Sequence, residues 1–258
     1  MVDIPLKSKH AFDKNTLETL NKISVHSVFT NQTITTLNHK PTMSQNNTKQ
    51  NGQAIPISSP TITTPFVTPS LQLPTFQNLI QKGQKASLFP SNLSQNISAN
   101  FGWNTKNSQC DVDVSAFLLG ENGKVIGDSW FVFYGQPTSP DNSVILNTTA
   151  PYDRETITIH FHKLNPKVQK IVFVLTINEA LNQNLHFGML QDAYIRILTS
   201  SYQKELVSFK MTEYYTNVIS MMIGEIYNYK GSWKFNAIGN GVARDLAGLC
   251  DLYGVAVV

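Results

Sequence analysis

The sequence predicts an all-β fold: an antiparallel two-sheet β-sandwich with a short C-terminal helix, behind a disordered amino-terminal extension. Three observations predict it. From about residue 76 onward, short apolar or alternating runs recur at close intervals with turn signals between them. No regular helical pattern is interposed until the last segment, so helices do not cover the strands as they would in an α/β protein. Residues 1–75 are dominated by Asn, Gln, Thr, Ser and Pro and contain no Trp or Tyr. Such a composition buries too little apolar surface to offset the entropy of ordering the chain.

The chain therefore divides into an extension over 1–75 and a sandwich domain over 76–258. Within the extension, Asp13 is placed to cap a short helix carrying Leu17, Leu20 and Ile23 on one side, either a docking helix or a marginal isolated one. Prolines 56, 60, 65, 69 and 74 favour an extended linker. The turn at Gly83, followed by alternation to Leu88, reads as the entry to a sheet. Strands are then expected at 97–103, 112–119, 130–134, 157–161, 171–177, 193–198, 206–211, 218–229 and 233–238. Turns fall at Glu121-Asn-Gly123, Ser139-Pro-Asp-Asn142 and Lys230-Gly231. Ile157, Ile159 and Phe161 alternate with polar residues, as do Trp233, Phe235 and Ala237, so each of these strands buries one face. Ile171-Val-Phe-Val-Leu175 has no polar face, which places it centrally and covered on both sides. Val242, Leu246, Leu249, Cys250 and Tyr253 follow helical spacing, and Gly254 stands where that helix stops.

The stretch from Phe101 to Val125 organises the domain. Asp111 and Asp113 are two apart and project to one side of an extended strand, while Val112, Val114, Ala116 and Leu118 project to the other. One face is built to pack, and the other offers carboxylates to a cation.

Composition narrows the function classes. The formal net charge is only +3, and the 20 Lys and Arg are scattered, with three Arg at 154, 196 and 244. A nucleic-acid binder concentrates its positive charge, so nucleic acid is not the expected partner. Two cysteines, Cys110 and Cys250, make no disulfide framework, and the amino terminus lacks a secretory pattern, so a cytoplasmic location is expected. No apolar run approaches the roughly 18 residues of a membrane span. Neither a Gly-x-Ser-x-Gly nor a P-loop pattern is present, and no enzyme mechanism is visible. His160 and His162 share a strand face and suggest a transition-metal pair, but no third ligand stands near them, and solvent-facing residues are the plainer reading. Cys110 is either a redox-sensitive thiol or a half-buried structural one. Cys250 lies on the apolar side of the last helix.

A dozen ordered motifs carry a family resemblance. They include Lys82-Gly-Gln-Lys85, Gly102-Trp103, Asp111-Val-Asp-Val-Ser-Ala-Phe-Leu-Leu119, Asn122-Gly-Lys-Val125, Phe131-Val-Phe-Tyr134, Lys170-Ile-Val-Phe-Val-Leu-Thr-Ile177, Ile195-Arg196, Gly224-Glu-x-Tyr227, Gly231-x-Trp-Lys-Phe235 and Tyr253-Gly-Val255. Over 76–258 the chain resembles the TerD-type tellurite-resistance stress proteins. The resemblance implies a β-sandwich, calcium held by aspartate-rich loops, protein partners in a stress-response complex, and a non-enzymatic role in resistance to tellurite and other toxic agents. Some relatives are labelled cyclic-AMP-binding proteins, so cyclic AMP is the alternative ligand.

Calcium takes six to eight oxygen ligands, with carboxylates as the usual source. The resemblance assigns the metal candidates Asp111, Asp113, Asp128 and Asp141, which are otherwise strand-edge and turn residues. Two departures weaken the expected site. Gln109 stands where the family has a first aspartate, and the later acidic loop is reduced to Asp153 and Glu155 around Arg154. The expectation is either one weakened calcium site that bridges the Asp111/Asp113 loop to those of Asp128 and Asp141, or a site lost altogether.

Overall fold

Valine, isoleucine and aromatic runs bounded by turn residues build the strands, and their side-chain alternation decides which face each strand buries. The computed structural model describes residues 70–90, 95–150 and 152–256. The expected helix at 13–23 and nearly all of the extension lie outside these residues. The described strands are β1 (Leu79–Ile80), β2 (Lys85–Pro90), β3 (Asn96–Thr105), β4 (Val112–Leu119), β5 (Phe131–Val132) and β6 (Val144–Asn147), then β7 (Glu155–His160), β8 (Lys170–Ile177), β9 (Leu190–Thr199), β10 (Glu205–Lys210), β11 (Ser220–Asn228) and β12 (Ser232–Val242). Among the described residues there are also two short α-helices, α1 (Ala180–Gln183) and α2 (Leu246–Tyr253).

The strands form two six-stranded sheets, the first in the order β1-β10-β9-β3-β7-β6 and the second in the order β2-β12-β11-β8-β4-β5. All pairings are antiparallel except β1 with β10. The expected sandwich is thus the observed one. Its core lies between the sheets, where Ile97, Ala99 and Phe101 of β3 and Ile157 and Ile159 of β7 meet Val112, Val114, Ala116 and Leu118 of β4 and Phe173 of β8. Phe101 and Phe173 meet edge to face across it, with ring centroids 5.5 Å apart.

The outer face of the second sheet is covered as well. Phe117 and Leu119 of β4, Phe131, Phe133, and Val172 and Val174 of β8 form a separate apolar cluster with Leu246, Leu249 and Cys250 of α2. This covers β8 on both sides, as its unbroken apolar run requires. It also corrects the expectation for β4, whose eight residues are all buried. The helix is set by its caps: the Asp245 carboxylate accepts the Gly248 N–H at 2.9 Å, and Gly254 ends it at φ 79°. Val242, expected in the helix, instead closes β12 opposite Ser220.

Other differences are local. The expected strand at 130–134 shrinks to Phe131–Val132, because a 3-10 turn takes up Asp128–Trp130. The strand β6 lacks a clean alternation in sequence and forms through its pairing with β7. Residues 70–74, assigned to the linker, already lie against the first sheet, where the Leu71 backbone exchanges two hydrogen bonds with the Asn104 side chain.

Candidate functional site

The register of β4 decides how the expected metal ligands are distributed. Phe117 is paired with Phe131 and Leu119 with Lys170, so Asp128 and the β7–β8 loop stand at the end of the sandwich where β4 finishes. Asp141 is at that end too, because its Oδ2 accepts the Asn165 N–H from the β7–β8 loop at 2.9 Å. Asp111 and Asp113 stand at the start of β4. At about 3.3 Å per residue, the two pairs are separated by roughly 20 Å of strand. The bridged four-aspartate site expected from the sequence is therefore not what the fold assembles.

The pair at the far end is engaged in local structure. Asp141 Oδ1 accepts the Ser139 hydroxyl at 2.7 Å and the Ser143 N–H at 2.9 Å, closing its own turn. Exposed Asp128 accepts the Ala256 N–H at 3.1 Å. The two acidic residues surviving from the later loop are likewise engaged. Asp153 receives Asn100 Nδ2, the Tyr194 hydroxyl and Arg196 Nη2 on both oxygens, all within 2.9 Å. Glu155 Oε2 accepts the N–H of Val114, which lies on a stretch of β4 that the two-residue β5 does not reach. Among the described residues, no group of three or more His, Cys, Asp and Glu is placed to hold a metal ion.

At the near end the picture differs. Asp113, Ser115 and Thr176 share the outer face of the second sheet, since Asp113 is opposite Thr176 across the β4–β8 ladder and Ser115 is two residues along. Tyr134, Asn178 and Leu246 close over them, leaving a space of about 10 Å³, enough for one water-sized occupant. Asp113 is 7 %, Ser115 2 % and Thr176 6 % exposed. The Ser115 and Thr176 hydroxyl oxygens have no hydrogen-bond partner within the protein. A buried hydroxyl without a partner costs about 1–3 kcal/mol, so two together mark a place built around something else. Ser115 was visible in sequence as the next residue on the Asp113 face. Thr176 was not, because only the strand register brings it there.

Exposed Asp111 precedes the strand and borders a separate crevice of about 160 Å³ with Arg154, Glu155 and Cys110. Its charge nevertheless reaches Tyr134. Burial raises the Tyr134 pKa, and Asp113 and then Asp111 raise it further. Cys110 sits 3.8 Å from Met189 Sδ, and burial raises its pKa, which lowers its thiolate fraction and its reactivity. His160 and His162 lie with rings 5.9 Å apart, and His162 faces Asn96 at 3.3 Å. Burial first, then the positive neighbours Lys163 and His162, lower the His160 pKa.

This domain matches the TerD domain model over residues 77–253. The chain belongs to the TerD family. It is 37 % identical over 185 residues to a tellurium resistance protein TerD of Serratia marcescens, covering 68 % of this chain and 96 % of that one. It is 31 % identical over 189 residues to general stress protein 16U of Bacillus subtilis, covering 69 % and 97 %. The crystal structure of a TerD homologue from Streptomyces coelicolor superposes with a TM-score of 0.46 at 15 % identity, over 61 % of this chain and 95 % of that one. The TerD domain's assignment to tellurium resistance and stress response thus rests on sequence. Among the described residues, no helix is long and apolar enough to cross a membrane.

One buried and three half-buried tyrosines give this TerD domain a defined alkaline limit. Burial is the main cause that raises the pKa of Tyr134 and Tyr194, and that of Tyr214 and Tyr253 to about 12. Each starts from an ordinary value of 10.0. Above that pH the unfolded chain releases these protons and the folded chain keeps them, so stability is full below about pH 10 and falls as pH rises toward the folded values. The urea midpoint is expected to drop between about pH 8 and about pH 11, and an unchanged midpoint would contradict the assignment.

Proposed function

We propose that this chain is a non-enzymatic binding module of the tellurium-resistance and stress-response type, with its cation site at the Asp113 pocket. The observation that carries this reading is the pair of unpartnered buried hydroxyls, Ser115 and Thr176, beside the Asp113 carboxylate. A carboxylate and two hydroxyls form an oxygen donor set, the chemistry that suits calcium. The set is smaller than the six to eight oxygens calcium prefers, and weak binding follows. Asp128 and Asp141 do not belong to it. The raised pKa of the Cys110 thiol speaks only against nucleophilic thiol chemistry at that residue.

A bound calcium would place a positive charge beside the Asp113 carboxylate. The chain's own contribution is position: Asp113 and Ser115 are fixed by β4, Thr176 by β8, and Leu246 at the start of α2 helps close the space. Occupancy would tighten the junction between Tyr134, Asn178 and the first turn of α2, a surface on which a protein partner of a stress-response complex would read the occupied state. A pull-down with and without calcium tests that step.

Calcium in excess should raise the melting temperature of the protein; a ligand at 100 times its Kd adds about 2.7 kcal/mol. Thr176→Val replaces a hydroxyl with no partner by a methyl of the same shape. It is expected to be neutral or stabilising by up to about 1 kcal/mol without calcium, and to reduce the calcium response. Asp113→Asn should abolish the response. No thermal shift of the unaltered protein at millimolar calcium would sink the calcium reading. A Thr176→Val loss of more than about 1 kcal/mol would show that the hydroxyl has a partner. Cyclic AMP is the other ligand that the family resemblance implies; retention on a cyclic-AMP matrix, competed off by the free nucleotide, tests it.

A further inference from the structure

An open cleft of about 1140 Å³ lies on the outer face of the first sheet, on the opposite side of the molecule from α2. Its floor is the polar face of β3 and β7, which carries Ser98, Thr156 and Thr158. One wall is formed by residues 70–74, and the other by the segment that leads into β7.

This face already holds one length of the chain by its backbone. Residues 70–78 cross the first sheet as a strap, and side chains of the sheet grip it. The Asn104 amide accepts the Leu71 N–H at 2.7 Å and donates to the Leu71 carbonyl at 3.1 Å. The Glu205 carboxylate accepts the N–H of Gln77 at 2.9 Å and that of Asn78 at 2.6 Å. Phe76 packs edge-on against Tyr194 at 5.3 Å. Ser70 lies on the cleft wall, so the residues before it join the sheet at the cleft.

Length and chemistry match those residues to the cleft. At one end of it the Arg154 N–H donates to the Phe101 carbonyl, and at the other the Ser200 N–H donates to the Asn96 carbonyl. Five residues of β3 separate these points, about 17 Å. An extended chain at about 3.1 Å per residue covers that distance with about six residues. In the sequence, Ile62-Thr-Thr-Pro-Phe-Val67 precedes Thr68-Pro69-Ser70-Leu71, a four-residue turn signal with proline at its second position. A reversal there lays 62–67 alongside the strap and over β3 and β7. Residues 50–81 contain no charged side chain, so burying this segment strips no charge of water. The charged groups of the lining are engaged elsewhere: Arg196 Nη2 donates to Asp153, and Arg154 Nε donates to the Trp103 carbonyl at 3.1 Å. What the floor offers is hydroxyls, which pair with backbone N–H and C=O groups alike. Tyr152, on the far wall, is 81 % exposed. It is an aromatic face of the kind on which extended proline-containing segments pack.

We propose that this cleft is the docking groove for the chain's own segment 62–67. The segment runs antiparallel to the strap, with Pro65 and Phe66 against Tyr152 and its backbone on the Ser98, Thr156 and Thr158 hydroxyls. While it is seated, the groove is closed to an extended peptide from any other protein. The groove shares no residue with the Asp113 pocket and stands whether or not calcium binds there.

The test is amide-resolved NMR of the full chain, with a synthetic peptide of residues 60–70 as the probe. Docking is expected to slow hydrogen exchange at the Thr63, Thr64 and Phe66 amides at least about tenfold relative to the free peptide. It should also give NOEs between the Phe66 and Tyr152 rings. Phe66→Asp, which alters no described residue, should return exchange to the peptide rate and shift the Ser98, Thr156 and Thr158 amides. Thr158→Arg, on the half-exposed floor, should release the segment in the same way. Added peptide should bind the Phe66→Asp chain about tenfold tighter than the unaltered chain, whose groove is occupied. Exchange at the free-peptide rate in the unaltered protein would overturn the assignment. Protection that survives Thr158→Arg would put the segment on another surface, and equal binding of added peptide by both chains would give the groove to a partner's segment; either result sinks the proposal.

Discussion

Asp153→Ala is expected to lose about 3–5 kcal/mol of folding stability, the cost of removing one partner of a buried ion pair. The side chains of Asp153 and Arg196 are 3 % and 15 % exposed, so little solvent is available to either charge. The substitution leaves the Arg196 guanidinium buried without an anion, and it also strands the Tyr194 hydroxyl and Asn100 Nδ2. Tyr194 has little room to adjust: Gly102 lies under its ring, where a Cβ would stand only 2.3 Å from Cζ, and Phe76 packs edge-on at 5.3 Å. Asp153→Asn keeps the shape and part of the hydrogen bonding and should fall between the two. Urea denaturation of the three proteins checks this. A loss below about 1 kcal/mol for Asp153→Ala would place the pair in the class of solvent-screened bridges.

Phe117→Ala is the second large effect, at about 3–5 kcal/mol. Phe117 is fully buried on the outer face of β4. It stacks on Phe131 at 4.4 Å and meets the tilted Tyr253 ring at 4.5 Å, and Phe131 stacks in turn on Phe133 at 4.6 Å. An eight-residue helix is too short to be stable by itself, so α2 depends on this aromatic platform. The truncation should therefore raise hydrogen exchange in α2 more than in β3 and β7, whose core faces lie on the other side of the sheet. Uniform loss of protection throughout the domain would show instead that the outer cluster and the inter-sheet core unfold as one unit. Because Leu246 closes the Asp113 pocket, the same variant should also weaken any calcium response.

What could be read directly from the sequence follows from local periodicity. Strands β3, β4, β7, β8 and β12 announced themselves by length, apolar content and alternation. The turn at Lys230-Gly231 has positive φ at both residues, 49° and 74°, the geometry that its glycine and its position between two strands suggested. Gly254 ended the last helix as expected. The double-sided apolar run of β8 correctly implied cover on both faces. These are signals within one element, and the physics that produces them is also within one element.

The candidate site was legible only in part, because its geometry is set by register between distant segments. Asp111 and Asp113 were recognisable as a pair of carboxylates. That Asp128 and Asp141 stand at the other end of the sandwich depends on Phe117 pairing with Phe131 and on Asn165 reaching Asp141, neither of which any local pattern encodes. The same holds for Thr176 beside Asp113, and for the cleft that β3, β7 and β9 share on the opposite face. By itself, the sequence determined the β-sandwich, the short C-terminal helix and membership of the TerD family. Only the tertiary structure decided which carboxylates are held by their own fold and which polar atoms are left facing an empty space, since hydrogen-bond satisfaction belongs to pairs of residues that the folded chain brings together.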